Sequence, residues 1–149
     1  MDFFDEINKL EYLYLSNIIE PFDNQLLITV KSSTISDDET DLFVAGKNLG
    51  PVKSLSFDGP GTKYECFFKS YCRYTITNES FTALNENDER IGRLFCLYSK
   101  SNYLDYIRDT TPVNYTYDYD NTLKHYAFNC QNHIIDIITI DQPVIKRIS

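Results

Sequence analysis

Alanine and tryptophan are scarce in this sequence. Its 149 residues include three alanines and no tryptophan. Because alanine is the strongest helix former, its scarcity excludes a helical bundle. The sequence also contains no internal repeat and no low-complexity linker. A chain of this length therefore predicts a single domain spanning residues 1–149.

Basic residues are also in short supply. Lysine and arginine number 14 against 22 acids, which gives a net charge of −8 and a pI near 4.6. An acidic surface repels phosphate backbones and anionic membranes, so nucleic acid and lipid headgroups are poor partners and a basic protein is a good one. The glycine-rich phosphate-binding motifs are missing as well. We therefore expect no nucleic-acid or membrane partner.

Long apolar runs are missing. The longest apolar-rich stretch, Ile134–Ile140, is interrupted by Asp136 and Thr139 and is far shorter than the ~20 residues of a membrane span. The first six residues carry three acids where a secretory signal would carry positive charge. The four cysteines are isolated from one another, which favours free thiols in a reducing compartment. We expect a cytoplasmic protein.

Residues that favour β-structure dominate instead. The sequence holds 22 aromatic residues and 32 valines, isoleucines and threonines, and these side chains fit pleated, half-buried surfaces. The fold class predicted is mainly β, with α+β left open. We expect an antiparallel sheet or sandwich of about eight strands. One short helix is predicted near residues 101–109, where the stretch Ser99–Asn102 supplies possible N-caps and Tyr103, Leu104 and Ile107 have helical spacing.

The amino-terminal half predicts strands separated by polar turns. Leu10–Ile19 and Gln25–Ile35 form an antiparallel hairpin. The acidic stretch Ser36–Asp41 is expected to be a solvated loop, followed by short strands at Leu42–Ala45 and Val52–Phe57. Residues 2–9 are expected to form a helical turn or an irregular arm.

The second half begins with a long extended segment. Tyr64–Thr77 predicts a bent strand or two strands meeting at a bulge, and Asn78–Gly92 is expected to be mostly loop. Leu94–Tyr98 is a short apolar strand. Lys124–Cys130 and His133–Ile140 predict a terminal hairpin, with Asn132 able to take a positive φ and Pro143 ending the hairpin.

One cluster has residue types that could bind metal or act as nucleophile and base. His125, Cys130, His133 and Asp136 fall within twelve residues. On a hairpin, however, alternation places His125 and Cys130 on opposite faces, so the four groups do not converge. We expect no metal site, no cofactor and no catalysis, and interpret these residues as surface or half-buried polar groups. Paired acids elsewhere are interpreted as an exposed acidic face.

A segment that mixes tyrosine with acid stands out. Residues 114–121 alternate tyrosines with threonine and aspartate, and two further acids lie on the predicted helix just before it. Tyrosine buries a large area at low entropic cost, and adjacent carboxylates select for lysine and arginine on a partner. The equal alternative is a tyrosine ladder that packs on the sheet. The candidate partner-binding residues are Asp105, Asp109, Tyr115, Tyr117, Asp118, Tyr119 and Asp120.

The last third of the sequence resembles a known class of proteins. The stretches are Ser99–Tyr106, Lys124–Tyr126, Asn132–Ile138 and Gln142-Pro143, which give a short helix, a hairpin and a proline exit. Together they resemble the small cytoplasmic immunity proteins of bacterial toxin systems, including those of contact-dependent growth inhibition and other polymorphic toxins. The resemblance implies an acidic, non-enzymatic domain that binds a toxin domain and blocks its active site.

Three functions follow as hypotheses. The first is an immunity-type protein whose acidic surface docks on a basic toxin domain, with a nuclease favoured because nucleases must hold phosphates. The second is a β-sandwich that binds a sugar or another small molecule in an aromatic pocket without catalysis. The third is an enzyme that uses Cys130, His133 or paired carboxylates.

Overall fold

The computed structural model describes residues 2–56, 61–83, 85–113 and 122–149. Strands dominate it, which confirms the mainly β prediction, and their number exceeds the eight expected. The helices are α1 (Phe3–Asn8) and α2 (Asn102–Thr110), with a 3₁₀ turn at Glu79–Phe81. The strands are β1 (Leu13–Ile19), β2 (Leu26–Ser32), β3 (Thr34–Val44), β4 (Lys47–Ser56), β5 (Lys63–Phe68), β6 (Tyr71–Asn78), β7 (Glu89–Ile91), β8 (Phe95–Lys100), β9 (Lys124–Asn129), β10 (His133–Thr139) and β11 (Val144–Arg147).

Two antiparallel sheets form the body of the molecule. One has the strand order β1-β2-β5-β11 and the other β6-β10-β9-β8-β7. Alternate residues of their inner faces meet in one apolar core, which includes Val30 and Tyr64 from the first sheet and Phe128 and Ile137 from the second. The sandwich therefore follows from the period-two pattern of apolar side chains along each strand.

Helix α2 covers the outer face of the five-stranded sheet. Leu104 and Ile107 lie three and six residues after the N-cap residue Ser101 and are both buried. They pack against Leu123 and Ile138 in a second, smaller apolar cluster. The predicted helix is thus confirmed, and its apolar stripe explains where it docks.

Helix α1 is the second helix, in the segment where a helical turn or an irregular arm was expected. The Asp2 carboxylate caps it by accepting a hydrogen bond from the Phe4 amide at 2.9 Å. At its end, the side chain of Asn8 accepts from the amides of Arg93 (2.8 Å), Leu94 (2.8 Å) and Phe95 (3.1 Å). The Asn8 amide group also donates to the Phe95 carbonyl at 2.8 Å, so α1 is fixed to the turn before β8.

The prediction of a solvated loop at Ser36–Asp41 was wrong, because these residues belong to the long strand β3. Strand β3 also contains most of the predicted Leu42–Ala45 strand, and β4 begins five residues before the predicted Val52. Charge indicates exposure to solvent, and a strand that is exposed on its faces satisfies that requirement as well as a loop does.

The segment Tyr64–Thr77 divides into two strands, which was one of the two predictions. The strands do not meet at a bulge, however. Strand β5 belongs to the four-stranded sheet and β6 to the five-stranded sheet, with Lys69 and Ser70 between them. The loop expected over Asn78–Gly92 contains the 3₁₀ turn and the short strand β7. The terminal hairpin ends at Thr139, before Pro143, and a further strand, β11, follows the proline and pairs with β5.

The terminal hairpin is confirmed, with β9 and β10 paired antiparallel from Asn129↔Ile134 to Lys124↔Thr139. Asn132 does not take a positive φ. Its side chain instead accepts from the Leu15 amide at 3.0 Å and donates to the Leu15 carbonyl at 3.1 Å. These two hydrogen bonds therefore attach the turn of the hairpin to β1 of the opposite sheet, at the point where the β1–β2 register shifts.

No helix in the described part of the chain has the length and apolar character needed to cross a bilayer.

Candidate functional site

Strands β3 and β4 form a two-stranded ribbon, Thr34–Ser56, which we call the β-arm. Its strands pair with each other and with no other strand among the described residues. The turn at its end is Ala45-Gly46, and both residues have positive φ, 51° and 78°. Two successive positive φ values are the signature of a tight two-residue hairpin turn. The sequence thus builds an arm that belongs to neither of the two sheets.

The end of the β-arm exposes large apolar side chains. The exposed fraction is 62% for Phe43, 53% for Val44, 55% for Leu49 and 41% for Leu42. We call these four residues the apolar tip. Exposed apolar side chains are ordinary when scattered, but a group of them on one element outside both sheets indicates an interaction surface.

Acidic residues lie on β3 directly before the apolar tip. Alternation along the strand places Glu39, Asp41 and Phe43 on one face. Asn48, opposite Phe43, donates to the Asp41 carboxylate at 3.2 Å, and Lys53 lies opposite Glu39 in the register. One face of β3 therefore presents two carboxylates followed by a phenyl ring.

Two of the predicted partner-binding residues lie on α2. Asp105 and Asp109 are both exposed, and the Asp105 carboxylate lies 3.6 Å from the Arg108 guanidinium. Tyr106, between them in sequence, is 56% exposed. The other predicted residues lie outside the described residues; they are Tyr115, Tyr117, Asp118, Tyr119 and Asp120.

A chain of hydrogen bonds holds α2 on the sheet. The His125 Nε2 atom donates to Asp136 Oδ1 at 2.7 Å, and His125 Nδ1 lies 2.6 Å from Ser101 Oγ. The Ser101 hydroxyl oxygen accepts from the Leu104 amide at 3.0 Å, which caps the helix. Because a carboxylate only accepts, Nε2 carries the proton, and in the neutral ring Nδ1 accepts from the Ser101 hydroxyl.

Aromatic rings surround this series of hydrogen bonds. The Tyr98 ring stacks on the His125 ring with centroids 4.0 Å apart and an interplanar angle of 6°. The Tyr103 ring lies 5.1 Å away, and the Tyr103 and Thr75 hydroxyls are 2.5 Å apart. His125 is 2% exposed, so its interpretation as a surface or half-buried group was wrong. A buried histidine is retained here because both ring nitrogens have partners.

Ser101, His125 and Asp136 have the composition of a serine hydrolase triad, but not its arrangement. In such triads the acid contacts Nδ1 and the serine contacts Nε2, whereas here the acid contacts Nε2 and Ser101 contacts Nδ1. Ser101 is also 6% exposed and its oxygen is engaged in capping. The arrangement supports positioning of α2 rather than attack on a substrate.

The remaining candidates for chemistry are separated. Cys130 lies in the core between the sheets, with Tyr126 and Phe128, as the alternation predicted, so its interpretation as a surface or half-buried group was wrong as well. Burial raises the pKa of its thiol to about 12. It is therefore protonated at neutral pH. Among the described residues, no group of three histidines, cysteines, aspartates or glutamates is arranged to hold a metal ion.

A cavity of about 430 Å³ opens where the two sheets separate, between β8 of one and β11 of the other. We call it the open-edge cavity. Its lining includes Phe3 and Phe4 of α1, Phe95 and Leu97 of β8, and Tyr126 of β9. Nothing in the sequence marked it, because its walls come from segments up to 143 residues apart.

Comparison of the chain with known protein families, with curated proteins and with solved structures finds no match.

Proposed function

We propose that this chain is an immunity-type protein that binds and neutralises a basic toxin domain, and that it acts in the cytoplasm. A nuclease is the toxin class that charge favours, because a nuclease surface must attract phosphates. The observation that carries the proposal is the β-arm, whose apolar tip is exposed beside the carboxylates of Glu39 and Asp41.

The apolar tip supplies the hydrophobic part of such an interface. A two-stranded ribbon is marginally stable in water, and large exposed apolar groups at its end add a further cost. Both costs fall when a partner covers the ribbon. Buried aromatic anchors surrounded by polar groups dominate the energetics of protein interfaces, and Phe43 with its neighbouring carboxylates has that composition.

Charge supplies steering and specificity. The β-arm contains four acids and two lysines in the sequence, within a chain of net charge −8. Opposite charge on a partner raises the rate of association and disfavours acidic competitors. The exposed carboxylates of Asp105 and Asp109 on α2 remain part of the proposed surface, together with the tyrosines and aspartates predicted at 115–120.

The cysteines are consistent with a reducing compartment. Among the described residues, Cys66, Cys72, Cys96 and Cys130 form no disulfide. Burial raises the pKa of Cys66 and Cys96 as well as that of Cys130, so these thiols are protected in the folded protein. Free thiols are typical of cytoplasmic proteins.

The first experiment uses the toxin domain encoded beside this chain as the probe. Affinity is measured by calorimetry, and protection is measured as survival of cells that express both proteins. Phe43→Ser is expected to weaken binding at least tenfold, which is about 1.4 kcal/mol, and to reduce survival. The matched control is Phe81→Ser, because Phe81 is 81% exposed on the 3₁₀ turn and outside the β-arm.

The second experiment tests charge. Asp41→Lys is expected to slow association and to reduce its dependence on salt, whereas Glu79→Lys makes the same charge change on an exposed residue away from the β-arm. The Asp105→Lys/Asp109→Lys double variant measures how much the carboxylates of α2 contribute to binding. The proposal is rejected if the toxin domain forms no complex, or if Phe43→Ser and Asp41→Lys bind it as tightly as the unmodified protein.

A further inference from the structure

Three of the four sheet edges in the described part of the sandwich carry a feature that hinders pairing with another strand. Strands β7 and β11 have only three and four residues. On β1 the register with β2 shifts after Leu15, and the Asn132 side chain occupies the backbone N–H and C=O of Leu15. Short strands, bulges and covering groups are usual means by which proteins protect an open sheet edge.

Strand β6 forms the fourth edge, and most of it lacks such a feature. It has eight residues and pairs with β10 on one side, while no strand among the described residues pairs with its other side. Its sequence contains no proline, no lysine and no acid. Its one charged residue, Arg73, holds its guanidinium 5.9 Å from the centre of the Tyr106 ring on α2. A long edge strand rich in tyrosine and threonine is a template for pairing with another strand.

The open part of this edge is Arg73–Thr77. Before it, the Tyr71 amide donates to the Asn24 carbonyl at 3.0 Å, and the register with β10 shifts between Tyr71 and the start of the open part. After it, Asn78 serves as the N-cap of the 3₁₀ turn. Both ends of β6 are therefore engaged within the chain, and Thr75 is the central residue of the five that remain.

A second copy of this chain offers a strand that fits the open part. Two identical strands pair antiparallel about a two-fold axis perpendicular to the sheet, and the axis must pass through a residue if the inner faces of both sheets are to lie on the same side. With the axis at Thr75, Tyr74 lies opposite Ile76 of the second copy, and Arg73 lies opposite Thr77. The two arginines therefore do not face each other.

This register covers an apolar side chain that the single chain leaves exposed. Ile76 is 42% exposed, although it lies opposite the fully buried Ile135 in the β6–β10 pair. Tyr74 is half-buried, and its ring packs against the Tyr71 ring with centroids 5.0 Å apart. Pairs of an aromatic and a β-branched residue across two strands are favourable, and the two-fold axis creates the Tyr74–Ile76 pair twice.

Charge also favours β6 as the place where two copies meet. Each copy carries a net charge of −8, so two copies repel each other at a distance. The repulsion is smallest where the contacting strands hold no carboxylate, and β6 holds none. It keeps the affinity modest and is screened by salt.

We propose that two copies of this chain associate through β6 and form one continuous sheet, with Thr75 on the two-fold axis. The edge is separate from the β-arm, so the pairing does not depend on the proposed toxin binding. A single strand pair is small for a protein interface, and we expect a dissociation constant of about 10–100 μM.

Sedimentation equilibrium of the full chain from about 5 to 500 μM measures the affinity. Ile76→Lys places a lysine on the open edge and is expected to raise the dissociation constant at least tenfold. The control Ile91→Lys makes the same charge change on β7, the opposite edge of the same sheet, where Ile91 is 60% exposed, and should leave the constant unchanged. Circular dichroism checks that both variants fold. Salt raised from about 50 to 500 mM should tighten the dimer at least threefold.

Cross-linking tests the register. Residues directly opposite each other in an antiparallel pair have Cα atoms about 4.5–5.5 Å apart, within the range of a disulfide. Thr75→Cys treated with the oxidant diamide should therefore give a covalent dimer on a non-reducing gel. In the control Thr77→Cys, the two new thiols lie four residues apart along the strands, about 13 Å, and should not form one.

The proposal is overturned if the chain stays monomeric up to about 500 μM, or if Ile76→Lys and Ile91→Lys dissociate alike. Cross-linking of Thr77→Cys as readily as Thr75→Cys overturns the register. A monomeric chain whose complex with the toxin domain is weakened by Ile76→Lys would assign the edge to a strand of the toxin. That result overturns self-association and leaves the proposed function in place.

Discussion

The His125 imidazole lies between two strands of the sheet and one helix, with its Nε2 atom 2.7 Å from the Asp136 carboxylate. Removal of the ring would leave the Ser101 hydroxyl and the carboxylate without this partner. We expect His125→Ala to lower the free energy of unfolding by about 3 kcal/mol, from lost hydrogen bonds and the cavity created.

The comparison variant is Asp136→Asn, which keeps an acceptor oxygen for Nε2. It should cost less than about 1.5 kcal/mol, since a neutral hydrogen bond replaces a charge-assisted one. Urea denaturation measures both values. Equal losses in the two variants would contradict the central role given to the imidazole, and faster hydrogen exchange at the Leu104 amide in His125→Ala would locate the effect in α2.

Asn8 is expected to be among the most sensitive polar residues in the chain. Its side chain accepts from three backbone amides and donates to the Phe4 and Phe95 carbonyls. Asn8→Ala should cost roughly 2–4 kcal/mol, because several backbone groups lose their partner at once.

The control is Asn85→Ala. Asn85 is exposed and accepts from one amide, that of Asn87, at 2.9 Å. Its replacement should cost less than about 1 kcal/mol. A similar loss in the two variants, measured by chemical denaturation, would show that the contacts of Asn8 with the turn before β8 add nothing to stability.

Gly92 and Gly50 allow steric overlap to be separated from backbone strain. Both have positive φ, 90° and 99°, so alanine is strained at each position. A Cβ atom at Gly92 would overlap the Phe95 carbonyl oxygen and lie 2.9 Å from the Phe4 ring, whereas at Gly50 it would meet nothing within 4 Å. Gly50→Ala should cost roughly 1 kcal/mol and Gly92→Ala several times as much. Melting temperatures that fall equally would refute the overlap.

Tyr64 makes the free energy of unfolding depend on pH in the alkaline range. Burial, and then its hydrogen bond to the Glu6 carboxylate, raises the pKa of Tyr64 to about 12. The unfolded chain, with a tyrosine pKa near 10, loses this proton first. Between about pH 10 and pH 12 the native state holds more protons, so the free energy of unfolding falls as pH rises.

Tyr64→Phe removes this contribution. The slope of unfolding free energy against pH should become shallower above about pH 10, while the exposed residue change Tyr106→Phe should leave the slope as it is. Urea denaturation at several pH values above 9 gives the slopes. An unchanged slope in Tyr64→Phe would assign the alkaline loss of stability to other groups.

The elements with a clear local pattern could be predicted from the sequence. The β9–β10 hairpin and α2 were found because their apolar residues recur at the period of a strand or a helix, and Ser101 caps α2 as its residue type suggests. The β-arm was not, because the acids at 37–41 indicate exposure and do not distinguish an exposed strand from a loop.

The contacts that fix the tertiary structure depend on residues distant in sequence. Asn8 binds a turn 85 to 87 residues away, and Asn132 binds β1 at a separation of 117 residues. Each asparagine has a neutral local context that predicts no such role. The hydrogen bond between His125 and Ser101 was missed for the same reason, since Ser101 lies 24 residues earlier on another element.

The candidate surface was predicted in part. Asp105 and Asp109 were expected on an exposed helix face, and both are exposed on α2. Phe43 and the apolar tip were missed, since a run of apolar residues such as Leu42–Val44 normally indicates a buried strand. Its exposure depends on the β-arm lacking a sheet to pack on, which no local pattern shows.

The self-contained pairing of the β-arm has a consequence for sequence change. Because β3 and β4 pair only with each other among the described residues, a substitution at Phe43 or Asp41 disturbs neither sheet of the sandwich. Surface changes of this kind usually alter stability by less than about 0.5 kcal/mol. If the arm binds a partner as proposed, a point mutation in it changes the specificity of binding while the rest of the fold stays intact, so that selection acts on recognition and on folding separately.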